Sequence, residues 1–91
     1  MDSFVLQKGI VLIEINGVFL LVADQEGRKY CNYIKVINET GAFIWNQLKD
    51  HRSLDEIVSN IQDEYEILDS YHIRKDVNAF IQLLKEGNYI A

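Results

Sequence analysis

Val36-Ile-Asn-Glu-Thr-Gly-Ala-Phe-Ile-Trp-Asn-Gln-Leu48 is the stretch in which the character of this chain changes. Upstream of it, β-branched and aromatic residues cluster in short runs. Downstream, apolar residues recur every three or four positions almost to the end, the period of helices with one buried face. A single change of period from strand to helix predicts an α+β domain whose sheet precedes its helices.

Working back from this stretch, residues 30–37 read as a strand, with Tyr30, Cys31, Tyr33, Ile34, Val36 and Ile37 favouring extended backbone and Asn32 and Lys35 interrupting them. Further upstream, the runs Ile10–Ile15 and Val18–Ala23 flank Asn16-Gly17. That dipeptide supplies the two positive-φ residues of a type I′ turn and predicts a hairpin. Both runs are apolar at nearly every position instead of alternating. Each face of the ribbon is therefore expected to be at least partly covered, by helices or by another chain. A polar break at residues 24–29 separates the hairpin from the third strand. Three sequential strands joined by short turns make an antiparallel meander, which puts strand three at an edge of the sheet. Its row of unpaired amides and carbonyls must be either protected or used.

Working forward, Asn38 is placed to cap a first helix, with Thr40 as a competing cap; Ile44, Trp45 and Leu48 form its apolar stripe, and it ends near Asp50. After the connector His51-Arg52, Ser53-Leu54-Asp55-Glu56 matches the capping box, and Leu54, Ile57, Val58, Ile61 and Tyr65 continue at helical spacing. A turn over residues 67–70 leads to a third helix, capped by Asp69 or Ser70, with Ile73, Val77, Phe80, Ile81 and Leu84 on one face. Gly87 is placed to end it as a left-handed residue, and residues 88–90 are expected to fold back on the core. Three strands and three short helices are compatible with a winged helix-turn-helix carrying a meander wing, in one domain spanning residues 1–91.

Composition narrows the function classes. Ninety-one residues, 48% hydrophobic and 25% charged, suffice for one core. No basic segment followed by an apolar one opens the sequence, and the longest apolar run, Val18–Ala23, is far too short to cross a bilayer, so the expectation is a soluble cytoplasmic protein without a membrane partner. The net charge of −5 is uneven: residues 1–52 balance six acidic against six basic side chains, whereas residues 53–91 carry eight acidic and three basic. Nucleic-acid affinity comes largely from cations that neutralise phosphates, so this balance argues against DNA or RNA and favours peptides or proteins.

Chemistry-bearing motifs are missing from the sequence. Cys31, with only His51 and His72 beside it, offers neither a disulfide nor a zinc-ligand spacing, and is expected to be a small buried strand residue. There is no glycine-rich phosphate loop and no nucleophile elbow; Asp55, Glu56, Asp63, Glu64 and Glu66 fall on the polar side of a helix. No catalytic residue, metal or cofactor is expected. What remains is a binding surface. Tyr33, Ile34, Lys35, Val36 and Ile37 can accept an extended peptide as a fourth strand, and the wall of the resulting groove would be helix three. Ile73, Val77, Phe80, Ile81 and Leu84, flanked by Leu83, make an arc wider than a narrow core stripe requires, and its members are either core or wall. Arg74 and Lys75 are either an ordinary polar face or charges that steer an acidic peptide.

These residues carry a family resemblance. Ile37-Asn38-Glu39-Thr40-Gly41 followed by Ile44-Trp45 and Leu48, then Ser53-Leu54-Asp55-Glu56-Ile57 with Tyr65, and Asp76-Val77 followed by Phe80-Ile81, Leu84 and Gly87, resemble the PqqD-like family. Its members are the recognition elements of ribosomally synthesised, post-translationally modified peptide pathways. The resemblance runs from about residue 10 to the end. It implies a winged helix-turn-helix-like fold without catalysis that binds the leader segment of a precursor peptide antiparallel along strand three, between that strand and helix three. Carried onto this sequence, the peptide-binding residues are Tyr33, Ile34, Lys35, Val36 and Ile37 on the strand, with Ile73, Arg74, Val77, Phe80, Ile81 and Leu84 on the helix. Members are often fused to their modifying enzyme; this chain is expected not to be, and to act in trans with a radical SAM protein or leader peptidase as partner, in pathways that include lasso peptides and pyrroloquinoline quinone. The connector before strand three is longer and more polar than the family's minimal pattern, and Ile37 stands where leucine is commoner, a near-isosteric exchange. The alternatives are a DNA-binding winged helix using Arg74 and Lys75, against which the order of strands before helices also counts, and an adaptor whose sheet edge pairs with a protein chain.

Overall fold

Asn16 and Gly17 both take left-handed backbone, with φ of 50° and 80°, and the hairpin they close runs from Ile15 opposite Val18 to Ile10 opposite Ala23. The molecule is described here by a computed structural model covering residues 4–90. Strands β1 (Ile10–Ile15), β2 (Val18–Ala23) and β3 (Ile34–Ile37) form an antiparallel sheet in the order β1-β2-β3, followed by helices α1 (Glu39–Lys49), α2 (Leu54–Tyr65) and α3 (Ser70–Glu86). This is the α+β, winged helix-turn-helix-like architecture expected from the sequence.

Strand β3 is shorter than its sequence suggests. The Asp24 carboxylate accepts the N–H groups of Glu26 and Gly27, and Gly27–Lys29 winds one 3₁₀ turn. The amide of Cys31 still donates to the carbonyl of Gly27, so the backbone is turning, not extended, until after Cys31. A side chain that satisfies nearby amides competes with strand geometry, and here it overrides the β-favouring residues at 30–33.

The helix caps follow the sequence closely. Asn38 Oδ1 accepts the Gly41 N–H at 2.7 Å, and Ser53 and Glu56 form the reciprocal capping box, which holds the Glu56 carboxyl below its usual pKa. Asp69 caps α3 through the His72 N–H. At the far end of α3 the left-handed residue is Asn88, with φ of 64°, and not Gly87, whose φ is −86°. Gly87 still donates to Leu83 and so completes the last turn, passing the reversal to an asparagine, which tolerates that conformation. The tail then returns as expected. Tyr89 is fully buried, its carbonyl accepts the Gln7 N–H, and Ile90 forms an antiparallel bridge with Leu6. The thiol of Cys31 is buried and donates to the Asn88 carbonyl; burial pushes its pKa up, as befits a packing residue and not a nucleophile.

The core lies between the helices and one face of the sheet. Leu21, Ala23 and Ile37 are buried on that face, with Ile10, Leu12 and Phe19 packed beside them. From above they meet Trp45 and Leu48 of α1, Ile57, Val58 and Ile61 of α2, and Ile73, Val77, Ile81 and Leu84 of α3. The opposite face carries Val11, Ile13 and Ile15 of β1, Val18, Leu20 and Val22 of β2, and Ile34 and Val36 of β3. The helices therefore cover only one side of the apolar ribbon. On the other, Val11, Ile13, Ile15, Val18, Ile34 and Val36 are exposed.

Candidate functional site

The amide of Ala23 donates to the carbonyl of Tyr33, which makes these two a hydrogen-bonded pair. In an antiparallel ladder such pairs alternate with pairs whose polar groups point outward. Lys35 and Ile37 therefore bond to β2, while the N–H and C=O groups of Ile34 and Val36 face the free edge of the sheet. Side chains alternate in the opposite sense. Those of Ile34 and Val36 stand on the outer face, and those of Lys35 and Ile37 on the inner one, level with α3.

On that inner side a cleft of about 200 Å³ is lined by Lys35, Val36, Ile37 and Asn38 from the strand side and by Phe80 and Leu83 of α3. It does not end there. Asn38 and Phe80 also line a second cleft of about 210 Å³, with Thr40, Gly41 and Ile44 of α1 and Asp76 of α3. Thr40 and Asp76 in turn line a third of about 180 Å³, with Ile61, Tyr65, Ile67 and Ile73. The three form one trough that starts at the edge of β3, passes the N-terminus of α1 and reaches the end of α2. Its lining is mixed, with Ile37, Ile44, Ile61, Phe80 and Leu83 beside the polar Asn38 and Thr40. Its fixed charges are Lys35 near the strand and Asp76 toward the helices, and at the far end the Tyr65 hydroxyl donates to Glu39. Burial and the Glu39 carboxylate hold the Tyr65 phenol above its usual pKa, so it stays a neutral donor.

Gly41 is required for this shape. A Cβ there would sit 2.8 Å from Cε1 of Phe80, so only glycine lets the Phe80 ring lie against the first turn of α1. The Asn-Glu-Thr-Gly segment caps the helix, and Asn38, Thr40 and Gly41 also line the trough.

Not every residue expected to bind a peptide lines these clefts. Val77, Ile81 and Leu84 are 1%, 4% and 0% exposed and belong to the core, as does Ile73, which reaches the trough only at its far end. At about 100° per residue they form the stripe of α3 that faces the sheet and the other helices. The clefts are walled by the neighbouring stripe Asp76, Phe80 and Leu83, of which Phe80 alone was among the expected peptide-binding residues. Arg74 lies on the opposite flank of α3. Its guanidinium is 2.6 Å from the Asp55 carboxylate of α2, beside Tyr71, Lys75 and Asn78, and it does not face β3. Tyr33 precedes the strand; its exposed ring is covered by the Arg28 guanidinium at 3.8 Å, and its carbonyl is committed to β2.

Among the described residues, no three His, Cys, Asp or Glu side chains are grouped to hold a metal ion, and no helix is long and apolar enough to cross a membrane.

Comparison with known proteins adds the following. Residues 20–90 match the family model described as coenzyme PQQ synthesis protein D (PqqD). Two solved structures share the fold. One is TbiB1 in complex with the TbiA(beta) leader peptide, 22% identical with a TM-score of 0.75, the alignment covering 94% of this chain and 93% of that one. The other is a lasso peptide synthetase B1 complexed with the leader peptide, 21% identical with a TM-score of 0.78, covering 98% of both chains. A search of curated protein sequences gave no match.

Proposed function

The chain belongs to the PqqD family, and from that membership and the geometry of its sheet edge we propose that it is a non-catalytic recognition protein for the leader segment of a ribosomally synthesised precursor peptide. The observation that carries this is the coincidence of two features at β3: outward-facing main-chain groups on Ile34 and Val36, and a cleft against α3, walled by Ile37, Phe80 and Leu83, on the inner side of the same edge. A peptide added there as a fourth strand bonds to four main-chain groups. At about 0.5–1.5 kcal/mol net for each bond they contribute roughly 2–6 kcal/mol, enough to hold a strand but not to select one. Selection falls to alternate side chains of the peptide, which enter the cleft lined by Lys35, Ile37, Asn38, Phe80 and Leu83. A leader that runs on along the trough passes Gly41 and Asp76, so a carboxylate near Lys35 or a cation near Asp76 would favour binding and fix its direction. The two similar solved structures are each described as a complex with a leader peptide, which supports the same assignment.

In this role the protein grips the leader and presents the rest of the precursor to a modifying enzyme or leader peptidase, a radical SAM protein being one candidate, in the cytoplasm where the precursor is made. No step requires a catalytic residue of its own. A DNA-binding role is disfavoured because Arg74, the cation best placed on the would-be recognition helix, is already paired with Asp55. Isothermal titration with the leader of the precursor encoded beside this chain tests the proposal. Saturable binding in the micromolar range or tighter is expected, and no heat at tens of micromolar for any neighbouring small peptide would refute it.

A further inference from the structure

The outer face of the sheet meets the peptide cleft only at Val36 and otherwise lies outside it. Its eight side chains, arranged in cross-strand rows of which Ile13, Leu20 and Val36 are the central one, are all aliphatic; none is charged or able to form a hydrogen bond. Six of them are 37–65% exposed. Together they present on the order of 500 Å² of apolar surface, as large as the largest patch a soluble monomer ordinarily shows.

We propose that this face is the interface of a homodimer in which two copies stack sheet on sheet across a two-fold axis. Area and charge both point to a second copy as the occupant. Two such faces in contact remove about 1,000 Å² from water, the lower bound for a specific interface, so one copy of this patch against another is sufficient. A two-fold interface sets the same patch against itself, which a face of uniform aliphatic chemistry satisfies with no charge to complement. The chain's net charge of −5 is concentrated in residues 53–91, the acidic helical half on the other side of the sheet. Stacking through the outer faces keeps the two acidic layers at opposite ends of the dimer, with both sheets between them. Pleated faces rich in β-branched residues pack about 10 Å apart in this way in sandwich proteins.

The stack leaves the edge of β3 open on each copy, so the dimer carries two peptide sites. The inference does not rest on peptide capture: a dimer through this face stands whether or not β3 takes a leader. Sedimentation velocity on the intact chain, from about 5 to about 500 μM, tests it, and the expected result is a concentration-dependent shift toward twice the monomer mass. Ile13→Lys and Val11→Lys each place an ammonium within the patch at an already exposed position of β1, away from the peptide edge. Each is expected to weaken the dimer at least about tenfold while circular dichroism and leader titration stay as in the parent chain. A monomer throughout the range would overturn the inference, as would a dimer that survives both lysines in folded protein. A dimer that dissolves in proportion to added leader would also overturn it, since that result assigns the pairing to the edge of β3. The leader titration of the lysine variants reports on the peptide site separately.

Discussion

Replacing Val36 with proline separates capture through the sheet edge from any other mode of peptide binding. The amide of Val36 faces the open edge of β3, whereas that of its neighbour Lys35 faces β2. Proline has no N–H and fixes φ near −65°, and it is tolerated in a strand where the missing donor would have faced solvent. Val36→Pro therefore leaves the β2–β3 ladder intact but removes one donor from the docking edge, whichever way the peptide runs. The loss comprises one hydrogen bond, about 0.5–1.5 kcal/mol net, and a peptide carbonyl left without a partner against the proline ring, so about 1.5–3 kcal/mol in all. At about 1.4 kcal/mol per factor of ten, the leader should bind roughly 10- to 100-fold more weakly by titration calorimetry. Circular dichroism and the melting temperature should remain close to those of the parent. Lys35→Pro is the control: its N–H belongs to the ladder, so this variant should lose cooperative folding of the sheet. Leader affinity within twofold of the parent for a folded Val36→Pro would refute the assignment of that edge.

Three further outcomes follow from packing and charge. Val77→Asp buries a carboxylate at a position 1% exposed, at a cost of several kcal/mol against a typical total stability of about 5–15, so circular dichroism should show an unfolded chain; a native spectrum would contradict the core placement of Val77. Leu83→Asp, on the half-exposed wall of the cleft, should fold normally yet bind leader about tenfold more weakly, and unchanged affinity would remove α3 from the site. The exposed pair of Asp69 and His72 raises the His72 pKa above 6.5 and lowers that of Asp69 below 3.8, through their mutual hydrogen bond and charge. The imidazolium contributes fully below about pH 6.5 and is lost as pH rises through its raised pKa; the carboxylate contributes above about pH 4 and is lost on acidification. The melting temperature of the parent should therefore exceed that of His72→Gln by a small margin near pH 5–6 that closes by pH 8, and a margin that widens with pH would show the pair to be unimportant.

What could be read from the sequence was what is decided locally. Asn16-Gly17, the Asn38 cap and the Ser53–Glu56 box each act over two or three residues, and each stands in the structure where the residues put it. The start of β3 misled because the Asp24 carboxylate, six residues before the first strand-like side chain, holds the chain in a turn through Cys31. The groove wall misled for a different reason. Val77, Ile81 and Leu84 have the period that either a core or a wall would show, and only the position of the sheet beside α3 assigns them to the core. The stripe that lines the clefts includes Asp76, a charged residue that an apolar period does not pick out. Arg74 is fixed by a partner 19 residues away, a distance that spacing rules do not reach. The uniformly apolar hairpin, by contrast, predicted a cover that the helices supply on one side only.

The bridge between Leu6 and Ile90 ties together two positions at opposite ends of the described chain. Contacts that close nearly the whole chain into a loop carry the largest entropic cost of closure and form late, after helices and the hairpin whose contacts are local. Tyr89 fills the core from that same segment and lies within reach of Cys31, whose thiol donates to the neighbouring Asn88 carbonyl. The hydrophobic core therefore includes a side chain from each end of the fold, and neither the bridge nor the seat of Tyr89 can form before residues 89 and 90 are in place.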